Sequence, residues 1–331
     1  MQDFWRQLDR PILILAPMFN VTDVAFREMF ARHGAPSVFF TEFVSCNGLA
    51  SAGRKKLLID LRFTKRQRPI VAQIWGEKPE NYYVAAQLCQ ELGFDGIDIN
   101  MGCPDKAVLK QGSCGALIDN PELAEKIFQQ TRRGAGRLPI SVKTRLGVRR
   151  NAVVEWMERL LALQPAAITV HGRTCREMSK VPAHWDQIAK AVAVRDNQHS
   201  ATLIIGNGDI QSLSEAQQKV AEFGVDGVMV GRGAFGNPWF FNSEVSAQGL
   251  PLAMKLAGLQ EHTQLFERWL GKRKPFVLMR KHFASYLSGY PNAKPLKLAL
   301  METKNLPDVK RVSKEFLRQH PLAGESLPLP S

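Results

Sequence analysis

The sequence predicts a (β/α)8 TIM barrel followed by a C-terminal all-helical domain. Three observations lead there. Short β-branched or apolar runs alternate with longer amphipathic segments as far as Gly236, the pattern of stacked βα units. Eight such runs fall within about 240 residues, close to the ~250 that a closed barrel uses. After Pro251 the strand patterns stop and only helical ones follow. A doubly wound open sheet is the alternative, but the even spacing and the absence of GxGxxG after the first run favour closure.

In chain order the predicted strands are ILILA (12–16), SVFFTEF (37–43), IVAQIWG (70–76), GIDIN (96–100), ISVKTR (140–145), AITVHG (167–172), TLIIGN (202–207) and GVMVG (227–231). Between them DVAFREMFARHG, ENYYVAAQLCQELG and PELAEKIFQQTRRG read as helices, each closed by glycine. This gives a barrel over 1–245 and a basic helical domain over 250–320. The latter holds MKLAGLQEHTQLFERWLG, PFVLMRKHFASYLSGY and a Pro-bounded basic segment ending in EFLRQH. The Pro, Gly and Ser content of 321–331 predicts a disordered tail.

No apolar stretch reaches the roughly 20 residues of a membrane span, and the N-terminus lacks the layout of a signal peptide. A soluble, cytoplasmic, monomeric protein is expected. The five cysteines form an odd set without CxxC spacing, which argues against a disulfide framework and against a metal site. The net charge of +13 points to a polyanionic partner. From Pro251 onward there are 14 Lys and Arg against 6 Asp and Glu, and RKKLLIDLRFTKRQR (54–68) forms a second basic cluster. Either cluster alone is most simply a solvated face; the two together shift the balance toward nucleic acid.

A barrel works at the C-terminal ends of its strands. There the sequence offers Pro17-Met18, Glu42, Gln73, Asn100 with Cys103, Lys143 with Arg145, His171 with Arg173, Asn207 with Asp209, and Gly231-Arg232. The glycines of GNGD (206–209) and GRG (231–233) suit an anion bound by backbone N–H groups, where barrels commonly hold phosphate. Lys143 and His171 come from adjacent strands to one mouth. A cation there can hold the charge of a reduced flavin, with Gln73 bonding the ring's edge, or the lysine can form a Schiff base. Cys103, between Gly and Pro at a strand end and followed by KQGSCG, sits near cations that lower a thiol's pKa, and reads as a nucleophile or a proton donor. Cys114 in that loop reads as a small turn filler.

APMFNVTD (16–23), TEFVS (41–45), DINMGCPDKAVLKQGSCGALI (98–118), VKTRLG (142–147), TVHGRT (169–174), GNGDI (206–210) and GVMVGRGAFGNPW (227–239) together resemble the tRNA-dihydrouridine synthases. RKHFASYLSGYP (280–291) carries the resemblance into the helical domain, and it covers roughly residues 11–300. It implies an FMN-binding barrel, a tRNA-binding helical domain, NADPH as reductant, and reduction of the C5=C6 bond of uridines in tRNA. It also implies that Pro17, Met18 and Phe19 line the flavin, that Gln73 and Lys143 contact its ring, and that His171 supports ring or phosphate. By the same resemblance Asn207, Gly208, Asp209, Gly231 and Arg232 bind the phosphate and ribityl chain. Cys103 falls on the proton donor, with Asn100, Arg145 and Arg173 on the substrate side. Phe19 followed by Asn20 has no reading from the family pattern. Two other classes compete: an FMN-dependent barrel reductase of a small molecule, which needs no basic extension, and an RNA-binding protein with a vestigial site, against which intact Cys103, Lys143 and His171 argue.

Overall fold

The computed structural model describes residues 3–245 and 250–320; the expected tail over 321–331 lies outside them. Among the described residues the strands are β1 (Ile12–Leu15), β2 (Phe39–Phe40), β3 (Val44–Ser45), β4 (Ile70–Trp75), β5 (Gly96–Met101), β6 (Ile140–Arg145), β7 (Ala167–His171), β8 (Leu203–Asn207) and β9 (Gly227–Val230), all parallel. Neighbours run β1-β9-β8-β7-β6-β5-β4-β2, and a bridge between Ile14 and Val38 returns the sheet to β1. The sheet closes into a barrel of eight staves, with β2 and β3 as two pieces of one stave against β4.

That stave, predicted as a continuous run over 37–43, divides where Thr41 and Glu42 turn to partners far along the chain. The N–H of Gln73 donates to the Thr41 hydroxyl at 3.1 Å. The next residue, Glu42, turns its carboxylate toward Lys274 and the N–H of Asn20. A second difference concerns the helix Pro121–Ala135, which runs through Gly134 instead of stopping there. A Cβ on Gly134 would come within 2.3 Å of the Tyr83 carbonyl oxygen, so this glycine permits close crossing of the helix Pro79–Glu91. The terminator is Gly136, at φ +59.

Period-two alternation places the functional side chains. Register pairs Gln73 with Asp98, Asp98 with Ser141, Asn100 with Lys143, Lys143 with Thr169, Arg145 with His171, and His171 with Asn207. Partners in a parallel pair face the same way, so one interior layer after another follows from the sequence once a single residue is placed. Below them the interior is apolar, with Ile12, Ile14, Val38, Phe40, Leu203, Ile205 and Met229 packed on Trp5.

The C-terminal helices Leu252–Trp269, Arg280–Tyr286, Lys294–Met301 and Leu306–Gln319 share one core with the barrel's first helix, Val24–His33. Val24, Ala25 and Met29 are buried among Leu256, Leu259, Phe266 and Phe283. Met29 alone gains about 2 kcal/mol from this burial. The helical part is therefore anchored to the barrel and covers a face that would otherwise be apolar surface. No helix among the described residues is long and apolar enough to cross a membrane.

Candidate active site

The chain turns sharply at the end of β5, and the sequence there explains how. The Asn100 side-chain oxygen accepts the N–H groups of Gly102 and Cys103, each at 3.0 Å, as an Asx turn does. Gly102 then passes over β6 so closely that a Cβ would lie 3.2 Å from the Thr144 carbonyl carbon. Arg145 locks the turn by donating to the Gly102 carbonyl at 2.7 Å, and reaches the carbonyls of Thr174 and Met178 at 3.0 Å. Cys103 emerges half-buried at the rim, followed by Asp105, which caps the short helix Lys106–Lys110.

Cys103 is held at about 7, below the ordinary thiol range. The main cause is a hydrogen bond from the Cys114 thiol, supported by the Asp105 N–H and the charge of Arg145, which together outweigh burial. Burial pushes Cys114 well up, so it stays protonated and acts as the donor. The residue that reads as a turn filler in the sequence is thus the hydrogen-bond partner of the Cys103 thiol. A third thiol, Cys175, comes near through Gly115, where a Cβ would meet its sulfur at 2.4 Å.

Under the turn runs a buried polar chain. Asn100 donates to Gln73 at 3.0 Å, Gln73 to Asp98 at 2.7 Å, and Ser141 to the other Asp98 oxygen at 2.6 Å. Burial raises Asp98 to about 6, against the opposing pull of Ser141, Gln73 and Lys143. Lys143 is lowered to about 8, first by burial and then by Arg145. It remains mostly protonated at neutral pH, which suits it to hold charge more than to attack a carbonyl. Asp98 and Ser141 escaped the sequence reading; the available signal was a carboxylate inside a strand buried on both faces.

Strand ends β6 to β9 and the loop after β1 enclose a cavity of about 280 Å³. Pro17, Met18, Lys143, Arg145, His171, Arg173, Asn207, Gly208, Asp209, Gly231 and Arg232 line it. Gln73, Asn100 and Cys103 lie beside it without forming its wall, and Phe19 stands in solvent. Asp209 organises the far side: Arg173 pairs with one carboxylate oxygen, and Arg232 reaches the other at 2.9 Å. Arg173 also donates to Nε2 of His171 at 3.1 Å. A guanidinium only donates, so this nitrogen carries no proton and the imidazole is the neutral Nδ1–H form. Burial and four surrounding cations, Arg145, Lys143, Arg173 and Arg232, drive its pKa well down. The cation expected of the Lys143 and His171 pair is therefore Lys143 alone. A larger, open depression of about 840 Å³ lies at the opposite end, around Pro139, Pro165 and Thr202, where the strands begin. It holds none of the predicted site residues. Among the described residues no cluster of three or more His, Cys, Asp or Glu side chains is arranged for a metal.

A closed parallel barrel with its polar residues, arginines and a tuned thiol gathered at the C-terminal mouth defines an enzyme of the barrel class. Residues 14–320 match the dihydrouridine synthase family. The chain is 38% identical to the probable tRNA-dihydrouridine synthase 2 of Bacillus subtilis (strain 168), covering 96% of this chain and 98% of that protein. It is 37% identical to the probable tRNA-dihydrouridine synthase of Staphylococcus aureus (strain MRSA252), over 96% of this chain and 97% of that one. The chain belongs to the dihydrouridine synthase family. Among solved structures, 6-hydroxypseudooxynicotine amine oxidase from Pseudomonas geniculata N1 superposes with a TM-score of 0.54 at 12% identity, over 78% of this chain and 53% of that one. A 2-naphthoyl-CoA reductase complex does so with a TM-score of 0.54 at 10% identity, over 70% and 49%. At these identities the likeness speaks for the fold alone.

Proposed function

We propose that the mouth binds FMN beside a uridine of tRNA, with NADPH as reductant and Cys103 as the acid. As a member of its family the chain is an oxidoreductase acting on tRNA uridine, reducing the C5=C6 bond to give dihydrouridine. The observation that carries the assignment of roles is the Cys103 thiol, fixed at the rim by Asn100 and Arg145 and tuned to about 7. The small-molecule alternative is not favoured, since the curated relatives named above are probable tRNA-dihydrouridine synthases.

The residues fit the cofactor. A Cβ on Gly231 would sit 3.7 Å from Ala16 Cβ and from Met18 Sδ, so the glycine leaves backbone open between the first and last strands. Arg232 pairs with Asp209 at its tip and remains largely exposed, available to a phosphate. Lys143 supplies positive charge on the wall, and the neutral His171 supplies an Nδ1–H donor. FMN held there would supply the hydride that uracil C6 accepts, with NADPH as the source of its electrons. Cys103 gives the proton that C5 gains: its S–H bond breaks as the C5–H bond forms, and water later restores the thiol. The charge left on sulfur is received by the Cys114 S–H, the Asp105 N–H and Arg145. The reading includes a monomer, and action on tRNA supports a cytoplasmic location.

This division of labour fixes where isotopes go. With reductant deuterated at the transferred position, the label should appear at C6; in deuterated water with ordinary reductant it should appear at C5. Solvent label at C6 would contradict the assignment. The acid must be protonated to act, so turnover should fall as pH rises through about 7. Cys114→Ala removes the donor that stabilises the thiolate, raises the thiol toward about 8.5 and moves that alkaline limb upward by about one unit, whereas Cys114→Ser keeps a donor and moves it less. A pH–rate profile unmoved by Cys114→Ala would detach Cys103 from the limb.

Lys272, Arg273 and Arg280 are exposed on the helical domain next to Lys274 and Lys281, which reach back to the barrel rim. We assign phosphate contacts to this face. Reversing all three to glutamate should weaken tRNA binding and flatten the slope of log K against log salt by about 2 to 3. An unchanged slope would move the platform elsewhere.

A further inference from the structure

Phe19 directly follows the cavity-lining Pro17 and Met18, yet it is 63% exposed, more than any other large apolar side chain among the described residues. Its loop is firmly bonded. Met18 N–H donates to the Thr22 hydroxyl at 2.9 Å, and the Met18 carbonyl accepts from Val21 and Thr22 at 3.0 and 3.1 Å. Asn20 lies at φ +56, a conformation few non-glycine residues adopt. It is held there from both sides, its N–H donating to the Glu42 carboxylate and Lys281 donating to its carbonyl. Glu42 is buried and pairs at 3.0 Å with Lys274, which is also 2.7 Å from Asp60. Phe43 backs the Phe19 ring, with centroids 5.5 Å apart and planes inclined by 33°. A left-handed asparagine, a buried carboxylate and two lysines of the helical domain thus combine to keep an aromatic ring in water beside the mouth.

We propose that Phe19, backed by Phe43, is a stacking platform for a nucleobase of the tRNA adjacent to the uridine being reduced. The inference rests on the tRNA reading above. A uridine whose C5 and C6 must enter the cavity leaves its stack, and the neighbouring base loses a partner. An exposed aromatic ring replaces that partner for any base, since every base has a π-face. The surrounding basic face holds the phosphates on either side, which favours a nucleic acid over an apolar peptide as the occupant.

The test measures Kd for an unmodified tRNA transcript and bound FMN for Phe19→Ala, Phe19→Leu and Phe19→Trp. The alanine and leucine variants should bind tRNA roughly 5- to 150-fold more weakly, the tryptophan variant should bind like the wild type, and all should keep the wild-type flavin content. The ring is exposed, so a urea midpoint within error of the wild type is expected and separates binding from folding. Wild-type affinity in Phe19→Ala, recovery by leucine, or loss of flavin alongside affinity would each overturn the platform. A wild-type protein that forms dihydrouridine while Phe19→Ala binds tRNA normally removes the platform alone; a wild-type protein that forms none removes the tRNA reading beneath it.

Discussion

Replacing Cys103 with alanine should lower dihydrouridine formation by about 10²- to 10⁴-fold while leaving FMN content and tRNA affinity near the wild-type level. The fold has little stake in this side chain. It is half-buried at the rim, and the turn beneath it is held by the Asn100 side chain, the Gly102 carbonyl and Arg145, none of which needs the sulfur. On the proposed assignment what disappears is the proton for C5, and a loss of this size corresponds to about 3 to 5 kcal/mol of transition-state stabilisation. Serine should rescue little, because a hydroxyl gives up its proton far less readily than a thiol held at about 7. Single-turnover reduction of a tRNA transcript by the pre-reduced enzyme reads this step without interference from cofactor reduction. If the alanine variant kept more than a fifth of the wild-type rate, Cys103 would not be the acid.

Arg27→Met should cost about 3 to 5 kcal/mol of stability, visible as a lower urea midpoint with a similar slope. The Arg27 side chain is fully buried. Its Nε donates to Gln67 at 3.0 Å, and its two terminal nitrogens donate to the carbonyls of Thr22 and Arg62. Burial lowers it to about 10, opposed by the charges of Asp23, Glu42 and Asp60. Methionine fills the space but leaves three acceptors and a buried carboxylate at Asp23 without that guanidinium. Lysine should recover only part, since one ammonium cannot reproduce the planar fork that spans three segments. Because Thr22 belongs to the loop that carries Phe19, the methionine variant should also bind tRNA less well below its melting range. A loss under 1 kcal/mol would mean that these buried acceptors find other partners.

The barrel was legible because its signals are local. Every stave predicted from apolar runs appears within a residue or two, and strand-end position alone selected Lys143, His171, Asn207 and Arg232 for the cavity wall. The failures share one cause: the deciding partner is distant in sequence. The break after Phe40 depends on Gln73 and Lys274, and the passage of a helix through Gly134 depends on Tyr83. The neutral state of His171 depends on four cations from three strand ends, and the part played by Cys114 depends on the conformation of its loop. The setting of Phe19 is equally hidden from the sequence. The resemblance assigns it to the flavin, while the structure holds it in solvent through Glu42, Lys274 and Lys281, which no pattern around residue 19 announces.

The most direct test of the account is mass spectrometry of an unmodified tRNA after incubation with the purified protein and NADPH, with fragments mapped to single nucleotides. The account predicts a gain of two hydrogens at one defined uridine, absent when Cys103→Ala replaces the wild type. Continued NADPH oxidation by an FMN-loaded protein, with every uridine unchanged in mass, would contradict it.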